Sequence, residues 1–162
     1  MSITEDQYAT LVANLDACLD AIEAKARSLV EDHWSQVRHM ETKHPGWENK
    51  TDLLLRCAKR GNSLQIEWSV AKWWGSSAKG NRKMYRTHIA KARGTHAYSL
   101  AKLLAHAKEW EKPLVAELEP QLAELRESAS NLNKARMYLR LTRHPVKPNP
   151  ASRKQTKDET HV

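Results

Sequence analysis

Phenylalanine is absent from the 162 residues, and cysteine, glycine and proline number only two, five and six. The two cysteines, Cys18 and Cys57, lie 39 residues apart with no Cys-x-x-Cys pair. That spacing excludes a disulfide-stapled scaffold and a cysteine-based zinc site, so both are expected to be reduced and structural. No apolar run approaches the roughly 18 residues that a membrane-crossing helix needs. The chain opens on acidic Glu5 and Asp6 rather than on a basic stretch followed by an apolar one. These absences predict a soluble, cytoplasmic protein with no membrane partner.

Without phenylalanine, the large aromatic anchors are nearly all indoles: Trp34, Trp47, Trp68, Trp73, Trp74 and Trp110. Each brings a wide apolar body and an N–H that needs a partner, and most are expected inside. The hydrophobic set makes up 40% of the chain, which is low for a globular domain and predicts an elongated molecule with a thin core. The length suits one domain, placed at residues 1–142, with 143–162 as a basic tail.

Acid is the scarcer charge, 19 Asp and Glu against 27 Lys and Arg, a net +8. The excess is not spread evenly. Residues 1–51 carry 9 acids and 5 bases, whereas 52–112 carry 4 acids and 13 bases. Residues 113–142 balance at 4 of each, and 143–162 hold 5 bases and 2 acids. The middle segment is therefore the candidate contact surface for a polyanion.

Residues 4–42 read as one long helix. Tyr8, Leu11, Leu15, Cys18, Ile22, Leu29, His33, Val37 and Met40 follow a near-heptad period with no Gly or Pro. Ser2-x-x-Glu5 and Thr4-x-x-Gln7 both fit a capping box, and His44-Pro45-Gly46 ends the run. Such a helix would be about 55 to 60 Å long, too long to bury inside one small globule, so it must pair with another helix or another chain. After the break the period becomes two. Leu53 to Arg60 and Leu64 to Val70 flank Gly61-Asn62, which suits a type II′ hairpin turn. Arg82 to Lys91 supplies a third antiparallel strand, giving a basic β-meander over 52–91. From Ser99 the helical stripe returns as Leu100, Leu103, Leu104 and Trp110. Pro113 marks either a new helix or a kink, and Leu114, Leu118, Leu122, Leu125, Ala129, Leu132 and Leu139 continue to about Leu141, with a second kink expected at Pro120. The whole predicts an α+β fold: long N- and C-terminal helices packed antiparallel with a small three-stranded meander at one end. Pro145, Pro148 and Pro150 among polar residues predict a disordered tail over 143–162.

Catalytic constellations are missing. The eight histidines do not pair at metal-binding spacings: His33, His39 and His44 scatter around a helix, and His88, His96 and His106 are far apart. Asp52 and Glu67 tempt a nuclease reading, but Glu67 is followed by Trp68-Ser69 with no Lys two residues on. Tyr85, among Arg82, Lys83 and Arg86, suits packing or phosphate contact better than nucleophilic attack. No enzyme activity, metal or cofactor is expected.

The middle segment instead interleaves bases with aromatics. Arg56, Lys59 and Arg60 lead to Lys72-Trp73-Trp74, then to Lys79, Arg82, Lys83, Tyr85 and Arg86, and finally to Lys91 and Arg93. On a twisted sheet these bases gather at strand ends and turn tips, where they reach phosphates while a ribbon lies in a groove. The plainer alternative is a sheet edge kept soluble by Lys and Arg. Alternation places Trp73 and Trp74 on opposite faces, so one of them is expected outside. The candidate DNA-binding residues are Arg56, Lys59, Arg60, Lys72, Trp73, Lys79, Arg82, Lys83, Tyr85, Arg86, Lys91 and Arg93, with double-stranded DNA as the partner and a homodimer formed through the long helices.

Four segments, KRGNSLQIEW (Lys59 to Trp68), YRTHIAKARGTHAYSL (Tyr85 to Leu100), HAKEWEKPLVAELEP (His106 to Pro120) and LNKARMYLR (Leu132 to Arg140), give the chain a pattern that resembles the MobI family. These are small auxiliary proteins of conjugative DNA transfer encoded by mobile elements. The resemblance covers roughly residues 34–140 and implies a non-enzymatic factor that helps the relaxase machinery engage DNA at the origin of transfer. It brings no catalytic residues. Two other readings stand beside it: a protein-interaction module docking by its helices, and a divergent nuclease.

Overall fold

The computed structural model describes residues 3–143; the tail expected over 143–162 lies, beyond its first residue, outside the described residues. The first element is the 39-residue helix α1, Glu5–Lys43. Thr4 caps it as the sequence predicts, its hydroxyl accepting from the Gln7 N–H while the Gln7 side chain accepts from the Thr4 N–H. A single 3-10 turn, Trp47–Asn49, follows the Pro45-Gly46 break. Three antiparallel strands come next in the order β1 (Leu53–Arg60), β2 (Ser63–Trp74) and β3 (Lys83–His88). Arg60 pairs with Ser63, so Gly61-Asn62 is a two-residue turn; Gly61 takes φ +57° and no other residue of the turn is left-handed, as type II′ requires.

The C-terminal helix α3, Lys112–Arg143, starts with Pro113 in its first turn and runs through Pro120 as one helix. It lies antiparallel to α1. Arg143 meets Glu5 at 2.8 Å, Arg136 pairs with Asp16, and Leu114, Leu118 and Gln121 line one groove with Leu29, His33 and Gln36. The partner that α1 needs is therefore inside the same chain.

The meander covers one end of this helical pair. Leu53, Leu55, Ile66, Trp68 and Val70 form the inner sheet face, packed on Ala26 and Val30 of α1 and on Val115, Leu118, Leu122 and Leu125 of α3. Toward the other end of the pair, from Leu19 and Ala129 outward, no side chain is buried among the described residues. The thin core expected from the composition is thus confined to the sheet end.

Two expectations need correction. The stripe from Ser99 to Lys112 is not one helix: only Leu100–Leu104, α2, is helical, with Ser99 as its cap. Tertiary hydrogen bonds break it, because the buried Glu111 carboxylate accepts from the Thr51 hydroxyl at 2.6 Å and the Trp110 indole donates to the Asn49 carbonyl at 3.0 Å. Nor are most tryptophans inside. Trp68 is buried, Trp34 and Trp110 are half-buried, and Trp47, Trp73 and Trp74 are exposed. Trp73 and Trp74 lie where β2 runs on past β1, and Trp47, outside the sheet, meets Trp73 edge to face.

Candidate nucleic-acid interface

β1 ends its ladder at Leu53 opposite Val70, so β2 and β3 run on as a two-stranded ribbon. In the ribbon Ala71 pairs with Arg86, Lys72 with Tyr85, Trp73 with Met84 and Trp74 with Lys83. Every residue of β3 is exposed. The tip is closed by Gly75, whose φ is +83° and where an added Cβ would clash with the Asn81 carbonyl oxygen. Asn81 in turn accepts from the Ser76 N–H at 2.9 Å.

Charge follows this geometry. From Trp68 to Lys108 the chain carries nine Lys and Arg and no Asp or Glu. This stretch holds the whole projecting ribbon and the loop behind it, so the ribbon has no acid of its own to neutralise its bases.

The predicted residues separate into four groups. On the outer sheet face, away from the helices, register places Arg56 opposite Glu67, Arg60 opposite Ser63, and Arg86 and Trp73 on the ribbon. On the inner face of the ribbon lie Lys72, Lys83 and Tyr85. Lys79 and Arg82 belong to the tip, and Lys91 and Arg93 to the loop after β3. Lys59 stands apart: it turns inward at the hairpin end, where its ammonium meets Asp20 at 2.7 Å and Glu23 at 3.5 Å on α1. The hydrogen bond to Asp20 pushes its pKa up. Lys91 also has an intramolecular contact, its ammonium 5.7 Å from the Tyr98 ring.

Both ribbon tryptophans are exposed, Trp73 at 46% and Trp74 at 65%, where alternation alone predicts one inside. Their surroundings differ. The guanidinium of Arg82 sits 4.4 Å from the Trp47 ring and 4.8 Å from the Trp73 ring, and the two indoles meet edge to face at 6.0 Å. Arg82 thus orders the outer side of the ribbon by cation–π contact rather than standing free. Trp47, in the linker after α1, is the member of this cluster that sequence reasoning missed; it lies 26 residues upstream with no periodic pattern to connect it.

A buried polar network holds the sheet to α3. Glu119 and Arg126 face each other at 2.8 Å inside the core. The Glu119 carboxylate also accepts from the Trp68 indole at 2.7 Å and from the Tyr98 N–H at 2.8 Å. Arg126 donates to the carbonyls of Ile66 at 2.8 Å and His96 at 3.1 Å. The network fixes β2, the loop that returns from β3, and α3 relative to one another. Sequence reading saw only a charge-balanced helix there.

Asp52 and Glu67, the pair that tempted a nuclease reading, do not converge. Asp52 accepts from the Lys108 ammonium at 3.0 Å, while Glu67 lies on the outer face of β2. No group of three His, Cys, Asp or Glu side chains is placed to hold a metal among the described residues. No described helix is long and apolar enough to cross a membrane.

Comparison with known proteins adds one decisive match: the family model described as MobI protein aligns with residues 22–140, from the middle of α1 through nearly all of α3. The chain belongs to the MobI family. Membership gives it an accessory role in conjugative mobilisation, and the matched span takes in the whole ribbon and the Glu119–Arg126 network. It leaves out nearly the first five turns of α1. No curated protein and no solved structure matches the chain.

Proposed function

We propose that the protein is a non-enzymatic accessory factor of conjugative transfer that binds duplex DNA near the origin of transfer. The β2–β3 ribbon and the outer sheet face would make the contact, in the cytoplasm, and the bound protein would help the relaxase or another transfer protein engage the site. The observation that carries this reading is the acid-free ribbon projecting past β1 with exposed bases on both faces and at its tip. A two-stranded ribbon fits the major groove, about 12 Å wide, and its Lys and Arg reach the flanking phosphates.

Lys72, Lys79, Lys83, Arg86 and Arg82 supply about five phosphate contacts, so the logarithm of affinity should fall against that of salt with a slope of about −4 to −5. Arg82 is the wrong residue to remove first, since it also orders Trp47 and Trp73. The triple substitution Lys79→Ala, Lys83→Ala and Arg86→Ala is expected to weaken duplex binding and to flatten the slope by about 3. Unchanged affinity and slope in the folded triple variant would reject this surface.

A homodimer is part of the proposal. Leu11 on α1 and Tyr138 and Leu141 on α3 are exposed at the end of the helical pair away from the sheet, and Met137, also exposed, borders them beside the β1–β2 hairpin. Met137, Tyr138 and Leu141 share one helical face, and they suit the helices of a second copy. The same patch supports a second reading, in which the protein is chiefly an interaction module and a transfer protein docks there.

A further inference from the structure

The inner side of the ribbon has no structural task in the described fold. Where β2 and β3 pass beyond the helices, Lys72 and Trp74 on one strand face Tyr85 and Lys83 on the other. Lysines and aromatics therefore alternate in a square, with the two aromatics on one diagonal and the two lysines on the other. Trp74 is 65% exposed and Tyr85 53%. On the outer side Trp73 is engaged by Arg82 and Trp47, but Trp74 and Tyr85 have no aromatic or cation–π partner among the described residues. The square continues into a cleft of about 300 Å³, lined by Lys72, Thr87, Lys102 and His106, between the ribbon and α2.

Bare aromatic faces flanked by lysines, with no acid in the ribbon itself, match one ligand chemistry well. Nucleic-acid bases stack on indole and phenol rings, and the phosphates between them pair with ammonium groups. A protein partner fits less well, because lysine is depleted from the cores of protein interfaces. A closed duplex fits less well too, since its base faces are already stacked on one another.

We propose that this inner ribbon face holds unpaired DNA bases, stacked on Trp74 and Tyr85, with their phosphates led along Lys72, Lys83 and Lys102 into the α2 cleft. The inference rests on the DNA-binding reading above and adds a second mode to it: Lys72 and Lys83 meet phosphates in both modes, and Trp74 and Tyr85 take the bases of a strand opened beside the duplex. Such a site would stabilise locally melted DNA, the form a strand-nicking enzyme acts on.

The test uses the full chain, a fluorescein-labelled 20-nucleotide oligo(dT) and a labelled duplex of the same length, titrated by anisotropy. Wild type is expected to bind both. Trp74→Ala should lose about tenfold in oligo(dT) affinity, as for one stacked base, while duplex affinity changes less than threefold. Trp74→Phe keeps a flat ring and should retain oligo(dT) binding, which separates stacking from loss of fold. Equal losses on both DNAs, or equal losses in the Ala and Phe variants, would overturn the inference. Wild-type binding to duplex without oligo(dT) binding would overturn it and leave the duplex reading standing. Binding to neither would remove both.

Discussion

Glu119 and Arg126 are the residues on which the sheet's position most depends. Each ion has lost its water, and each is repaid by hydrogen bonds that cross between elements: Trp68 and Tyr98 to the carboxylate, Ile66 and His96 to the guanidinium. Removing one partner leaves the other charged and buried. Glu119→Ala is therefore expected to destabilise the fold by about 3 to 5 kcal/mol in urea unfolding; a loss under about 1 kcal/mol would mean that the pair is not holding the sheet. His33 presents the opposite case, a titratable ring buried without a charged partner, edge-on to Trp34 and Trp68 at 5.8 and 5.4 Å. Burial pushes its pKa down to about 4. The unfolded chain, with histidine near 6.5, binds the proton first as pH falls, so this residue's contribution is intact above about pH 6.5 and is lost between about 6.5 and 4. The total is about 3 kcal/mol. His33→Leu should flatten the stability profile across that window and leave the neutral side of the curve parallel to wild type. Parallel curves throughout would mean that His33 titrates normally. Neither network was legible in the sequence, where His33 is one more position in an apolar stripe and Glu119 and Arg126 look like solvated helix charges.

Among the elements, those fixed by local chemistry were readable. The Thr4 capping box, the apolar period of α1, the Gly61-Asn62 turn and Pro113 at the start of α3 are each decided by a few neighbouring residues. The meander followed because alternation on β2 has no miss. What failed was decided at long range: α2 is cut short by the bonds from Glu111 to Thr51 and from Trp110 to Asn49, partners about 60 residues away in sequence. The exposure of both Trp73 and Trp74 has the same origin, since alternation gives the face of a residue but not where the cover on that face stops. The α1–α3 pair also outruns its cover. Its far end leaves Leu11, Tyr138 and Leu141 bare, with Met137 exposed beside them. If a second copy covers them, the protein sediments at twice its mass of 18.6 kDa at micromolar concentration. Met137→Ser with Tyr138→Ser and Leu141→Ser should return it to monomer while the sheet end stays folded. A monomeric wild type would assign the patch to another partner.

At the scale of the whole molecule, charge and fold are segregated together. The acid-rich N-terminal helix lies along the α3 helix, where its Asp16 and Glu5 pair with Arg136 and Arg143. The unanswered positive charge lies on the ribbon at the opposite end, on a stem held by a compact core. The proposed function uses this division, assigning the ribbon end to DNA and the far end of the helical pair to a protein. The most direct measurement is an anisotropy titration of labelled duplex from the transfer origin of the element that encodes the chain, at 50 and 200 mM salt, with random competitor DNA. About five phosphate contacts predict a loss of affinity of about 500-fold between those two salt concentrations, with binding at the lower one that random DNA competes poorly. Absence of binding at low salt, or affinity indifferent to salt, would contradict the account.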